Sequence, residues 1–152
     1  MLAVYLIPMM PNLIQALYFL HGGTAMSLKS SKQTLIATSI NHYEITKLYE
    51  ASRECVWLHR KINHIQHSCD IGSIMKPTII YEDNSACIAQ MNAGCIKSNV
   101  TKHTAPKLFY PHELQKNGEI EILQIKSCDN LACLFTKSLP TSLFQKYVLQ
   151  LV

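Results

Sequence analysis

At 152 residues, with 48% hydrophobic and 16% charged side chains, the chain is long enough for one domain with its own core and too apolar for intrinsic disorder. A net charge of +4 permits a nucleic-acid partner without requiring one, because mildly basic proteins occur in every functional class. Six cysteines, Cys55, Cys69, Cys87, Cys95, Cys128 and Cys133, occur without any Cys-x-x-Cys pair, which suits reduced thiols in an intracellular protein better than a disulfide framework.

The first twenty residues carry no charge, and the first basic side chain is Lys29, so a targeting segment or membrane span has to be weighed. Pro8, Pro11, Asn12 and Gln15 interrupt the run and no basic residue precedes it, which argues against both. Residues 1–17 are therefore read as a degenerate apolar segment of strand character, with no membrane expected, and 18–152 as the domain. A small membrane-associated protein built on the apolar N-terminus is the competing class.

Further along, Leu17 to Leu20 and Thr24 to Leu28 flank His21-Gly22-Gly23, whose paired glycines predict a hairpin turn. A short apolar run, Thr34 to Thr38, follows a polar stretch. From Asn41 to Gln66 the positions Ile45, Leu48, Ala51, Cys55, Leu58, Ile62 and Ile65 recur at steps of three and four and predict one long amphipathic helix, with Ser39 and Asn41 as candidate caps. Pro77 to Tyr81 reads as a strand that delivers Glu82-Asp83-Asn84 into a short helix, Ser85 to Met91, stopped at Asn92-Ala93-Gly94. A helix from Pro106 to Lys116, a strand from Glu119 to Ile125 and two short closing helices, Asp129 to Thr136 and Ser142 to Leu151, complete an α/β pattern.

Five segments carry a family resemblance: Gly22-Gly23-Thr24-Ala25; Tyr43-Glu44-Ile45 leading to Tyr49-Glu50-Ala51; Tyr81-Glu82-Asp83-Asn84; Thr101-Lys102-His103; and the run Leu131-Ala132-Cys133-Leu134-Phe135-Thr136-Lys137-Ser138-Leu139-Pro140. In order and spacing they resemble the ribonuclease H domain of copia-type retrotransposon Pol polyproteins, from Tyr18 to the C-terminus. The resemblance implies a ribonuclease H-like mixed sheet flanked by helices. It also implies four carboxylates that hold two Mg²⁺ ions and hydrolyse the RNA strand of an RNA–DNA hybrid, in company with the reverse transcriptase of the parent polyprotein. Two such ions about 4 Å apart repel strongly, and clustered negative oxygens are needed to hold them.

Carried over residue by residue, the helix carboxylate of the family falls on Glu44 and the strand-end carboxylate on Asp83, the candidate catalytic and metal-binding pair. Lys102 and His103 fall on the motif that lies beside the site and are the candidate nucleic-acid contacts. The family's first carboxylate maps to Leu2 or upstream of Met1, so the first strand is expected to be missing or replaced, with an exposed sheet edge as the result. Its last carboxylate maps to Cys133, and a thiol does not substitute for a hard oxygen ligand of Mg²⁺. Mg²⁺ is thus the ancestral cofactor, and the losses predict a remnant without nuclease activity. The alternative is a non-catalytic nucleic-acid-binding or protein-interaction module on the same fold.

Other readings compete for the same residues. Glu44 by itself is a solvated helix glutamate, and Asp83 beside Asn84 and Ser85 is a helix cap. Asp129, four residues before Cys133, is the local candidate to replace the lost carboxylate. His59, His64, His67 and Cys69 are close in sequence but fit no zinc spacing, and Cys133 with His103 or His112 is a remote candidate for a nucleophile and base. Lys29, Lys32 and Lys107 add a thin scatter of phosphate-binding charge.

Overall fold

The structure, a computed structural model, describes residues 2–6, 14–32, 40–72, 76–94, 105–135 and 138–150. Thr34 to Thr38, Ser39, Cys95, Lys102 and His103 lie outside the described residues. Five strands form one mixed sheet: β1 (Leu2–Leu6), β2 (Ile14–His21), β3 (Thr24–Lys32), β4 (Thr78–Glu82) and β5 (Ile120–Gln124), in the order β3-β2-β1-β4-β5. The first three form an antiparallel meander, and β4 and β5 are added in parallel to β1. Four helices, α1 (Ile40–Ser68), α2 (Ser85–Ala93), α3 (Ala105–Lys116) and α4 (Thr141–Leu149), flank it, with two 3₁₀ turns at Ser127–Asp129 and Leu131–Phe135. This mixed α/β sheet flanked by helices is consistent with the ribonuclease H-like class.

Local chemistry accounts for most of these elements. Gly22 and Gly23 both have positive φ, 62° and 86°, which a two-residue hairpin turn demands and glycine supplies without strain, and His21 pairs directly with Thr24. Asn84 caps α2 by accepting a hydrogen bond from the Cys87 N–H at 3.0 Å. Pro111 sits inside α3, where it removes one intrahelical bond without ending the helix.

Of the two outcomes expected for the first strand, missing or replaced, the structure shows the second, without the exposed edge. Leu2–Leu6 is a true strand, paired with β2 on one side and β4 on the other, so the first strand is replaced in sequence and present in space. It lacks alternation because the central strand of a covered sheet is buried on both faces. On one face Leu2, Val4 and Leu6 join Leu17, Phe19, Ile80, Ile120 and Ile122 beneath the helices α1, α2 and α3. On the other, Tyr5, Tyr18 and Leu20 meet Leu131, Ala132, Cys133 and Tyr147 from the 3₁₀ turn and α4. β2 runs through position 17, so part of the apolar N-terminal segment is built into the sheet.

α1 departs from its predicted packing. Its apolar stripe is buried from Ile45 to Leu58, but Ile65 is 60% exposed. A 29-residue helix is about 43 Å long, whereas the five-residue strands beneath it span about 17 Å, so its far half runs past the sheet. The predicted closing helix from Asp129 to Thr136 is instead the pair of 3₁₀ turns, pinned by Asn130: its side-chain amide donates to the Leu6 carbonyl at 2.5 Å and its carbonyl oxygen accepts from Ala132 N–H at 3.2 Å.

Gly94 ends α2 with φ of 60°, its N–H bonded to the Met91 carbonyl at 3.1 Å, and a Cβ there would lie 2.9 Å from His112 Nε2. Gly94→Ala should lower the unfolding free energy by about 1–2 kcal/mol in a urea titration, from left-handed backbone strain plus displacement of His112. Gly72→Ala, which meets nothing within 4 Å, should stay within about 0.5 kcal/mol of the parent.

Candidate functional site

The carboxyl end of β4 is where the fold gathers its charged residues. Alternation along β4 buries Thr78, Ile80 and Glu82 on the side that faces α1. Glu82 is fully buried; its Oε1 accepts a hydrogen bond from the Asn84 N–H at 3.0 Å, and its backbone carbonyl accepts from Ile125 N–H at 3.0 Å. Across from it, near the start of α1, Glu44 is 2% exposed and Lys47 fully buried. The Lys47 ammonium is in direct ionic contact with Glu44 and lies 3.5 Å from Glu82 Oε2. One cation therefore ties the first turns of α1 to the end of β4.

Charge balance sets the protonation of this group. Burial works against the Lys47 charge, yet Glu82 and Glu44 together outweigh it and hold the ammonium above the ordinary lysine range. One ammonium neutralises only one carboxylate. Burial therefore pushes the Glu82 carboxyl up to about 7, with Glu44 adding to the effect, although Lys47 and the Asn84 N–H pull the other way. The Tyr43 hydroxyl, buried nearby, has no hydrogen-bond partner among the described residues.

Asp83 follows Glu82 but faces the other way. It is half-buried, and the Ser127 hydroxyl donates to its Oδ2 at 3.0 Å. Cys133 in turn donates its thiol to the Ser127 carbonyl at 3.7 Å, so Asp83 and Cys133 are linked through one serine. Three of the mapped positions thus split between an inner cluster, Glu44 with Glu82 around Lys47, and an outer one, Asp83 and Cys133 joined through Ser127. Tyr5 pairs with Tyr81, so Leu6, one residue on, lies level with Glu82, whereas Leu2, to which the resemblance maps the first carboxylate, sits toward the opposite end of the strand. Leu6 is fully buried and offers no ligand.

The remaining candidates are engaged elsewhere. Asp129 is exposed and salt-bridged to Lys146 at 2.9 Å, and this hydrogen-bonded pair holds its carboxyl below the usual range, so it is not turned toward Asp83. His59 shares a 2.8 Å hydrogen bond with Thr78, and His112 one of 2.8 Å with the Met91 carbonyl. Lys29 is paired with Glu54 at 2.5 Å. Burial pushes the Cys55 thiol up to about 12 and that of Cys87 higher still, which makes both unreactive. Among the described residues no group of three or more His, Cys, Asp or Glu side chains is arranged to hold a metal ion. No helix among them is long and apolar enough to cross a membrane.

The donor set is a poor match to Mg²⁺. That ion asks for near-octahedral oxygen ligation, while here the two inner carboxylates already face an ammonium, the third is bonded to a serine, and a leucine and a thiol stand at the other two positions. Lys47 and Glu82 were not singled out in the sequence. Their signals are a charged residue on the apolar stripe of α1 and the inward register of Glu82 behind Thr78 and Ile80.

Over 127 residues the chain is 24% identical to the Retrovirus-related Pol polyprotein from transposon TNT 1-94 of Nicotiana tabacum, a match covering 84% of this chain and 9% of that polyprotein. The chain thus spans about a tenth of the length of this relative. No protein-family model matches it. It is similar in sequence to one stretch of a retrotransposon Pol polyprotein.

The raised Glu82 carboxyl predicts the direction of a pH effect. The folded state keeps a proton up to about pH 7 that the unfolded chain releases near the ordinary glutamate range, so stability should fall as pH rises through this interval and level off above it. Urea midpoints measured from pH 4.5 to 8 should decline in the parent, and Glu82→Gln should flatten the decline.

Proposed function

We propose that this chain is a remnant of a retrotransposon ribonuclease H domain, ancestrally a Mg²⁺-dependent hydrolase of the RNA strand of RNA–DNA hybrids and now without that activity. The observation that carries the reading is the convergence of Glu44 and the Glu82-Asp83 pair on the carboxyl end of β4, with Cys133 one serine away. A sheet of order β3-β2-β1-β4-β5 and the likeness to a retrotransposon Pol polyprotein support it. The loss of activity follows from the chemistry. A two-ion mechanism needs oxygen ligands on both sides of the scissile phosphate, and Leu6 and Cys133 supply none. By the same resemblance, the ancestral partners are the hybrid and a reverse transcriptase, and Lys102 and His103 are the proposed hybrid contacts.

A binding module on the same fold is the second reading, and the solvent face of α1 favours it. Trp57 is 55% exposed there with the Lys61 ammonium 5.8 Å from its ring centre, and Arg53 stacks at 5.8 Å over Tyr49. An exposed aromatic ring among cations can stack on an unpaired base. Trp57 and Arg53 line a shallow groove with Lys29, Glu50 and Glu54, and the two glutamates weaken its positive field.

A labelled RNA–DNA hybrid incubated with Mg²⁺ or Mn²⁺ tests both readings. The proposal predicts no cleavage above a Glu44→Gln, Asp83→Asn control. Cleavage by the parent that the double substitution abolishes would contradict it. Salt-sensitive retention of the hybrid without cleavage, lost on Trp57→Ala, would favour the binding module.

A further inference from the structure

We infer that the Lys47 ammonium is the resident cation of this acidic site, holding from within the carboxylates that would otherwise take a divalent metal ion, and that its removal uncovers a cation site. The inference rests on the ion cluster alone, and it stands or falls apart from the retroelement reading.

Three observations carry it. First, Lys47 is fully buried, and a buried ammonium persists only where anionic or strongly polar groups surround it. Its two ionic contacts, Glu44 and Glu82, come from different elements, so the cation sits between a helix and a strand end as a bound ion would. Second, the oxygens Glu44 Oε2 and Glu82 Oε2 are buried and both face the Lys47 ammonium, which supplies their neutralisation by charge. With Lys47 absent they would be two buried acceptors with nothing opposite them. Third, geometry favours residue 47 for the task. It lies three residues after Glu44 on the same face of α1, and helical side chains lean toward the N-terminus, which carries a long aliphatic stem back over Glu44 to the end of β4.

An ammonium and a divalent ion cannot share this place. Both require the same carboxylate oxygens, and at contact distance in a dry interior their like charges repel strongly. The ammonium carries half the charge of Mg²⁺ and asks for no octahedral shell, so it suits a site with two inner carboxylates. The two inner acidic residues, Glu44 and Glu82, are thereby held together without metal.

Mn²⁺, followed as the loss of its free-ion signal in electron paramagnetic resonance, is the probe. The parent should show no site that Glu44→Gln removes. Lys47→Ala and Lys47→Gln, the second keeping much of the side-chain length without the charge, should each bind Mn²⁺ roughly tenfold or more tighter than the parent, and adding Glu44→Gln should abolish the gain. A variant that unfolds without metal and recovers its circular dichroism with Mn²⁺ counts as the same gain. Parent binding that depends on Glu44 overturns the inference. So does the absence of both Mn²⁺ binding and Mn²⁺-dependent folding in the two Lys47 variants.

Discussion

A positive charge withdrawn from water sets the terms for the rest of this molecule. Lys47 is fully buried, and Glu44 beside it and Glu82 across from it help make that placement tolerable. Because these two carboxylates belong to α1 and β4, the ion cluster fixes how the long helix crosses the sheet. α1 follows the antiparallel meander and returns the chain to the far side of β1, so its angle over the sheet decides where β4 enters. Breaking such a cluster by removing one partner leaves a buried charge without compensation, at a cost of about 3–5 kcal/mol. The cluster is therefore a constraint on the fold as much as a feature of the site.

The same cluster divides a single acidic rim into two parts with different chemistry. Inside, Glu44, Glu82 and Lys47 form a dry, nearly neutral group once Glu82 takes up a proton near pH 7. Outside, Asp83 is partly open to solvent and is held by Ser127, which also connects it to Cys133. Glu82 faces Lys47 while Asp83, just past the strand end, bonds to Ser127, so the two neighbouring carboxylates engage different partners. A leucine at position 6 seals the inner part, and Asn130 ties the neighbouring 3₁₀ turn to the end of β1. The rim keeps the outline of a carboxylate site while its interior is organised as a packed core.

Much of this was legible in the sequence, and the exceptions have physical causes. Paired glycines, the stripe from Ile45 to Leu58, the cap at Asn84 and the stop at Gly94 announce their elements through local backbone chemistry, which needs no tertiary information. β1 was legible only as apolar sequence, because a central strand covered on both faces has no alternation to read. The apolar period of α1 outlasted the sheet beneath it, so Ile65 matched the stripe and yet lies in solvent. The 3₁₀ turns depend on a side chain reaching from Asn130 to Leu6, a contact across most of the chain that no local pattern contains. Glu44 and Asp83 were singled out by resemblance. Lys47 and Glu82 were passed over because a lone lysine or glutamate is ordinarily a surface residue, and its burial becomes visible only when the partner is in place.

Chemical labelling of the native protein tests the buried cation most directly. Reductive methylation followed by peptide mass spectrometry should modify the exposed Lys61 and Lys146 while Lys47 stays unmodified until denaturant is added. Methylation of Lys47 in the folded protein as fast as that of Lys61 would contradict the account.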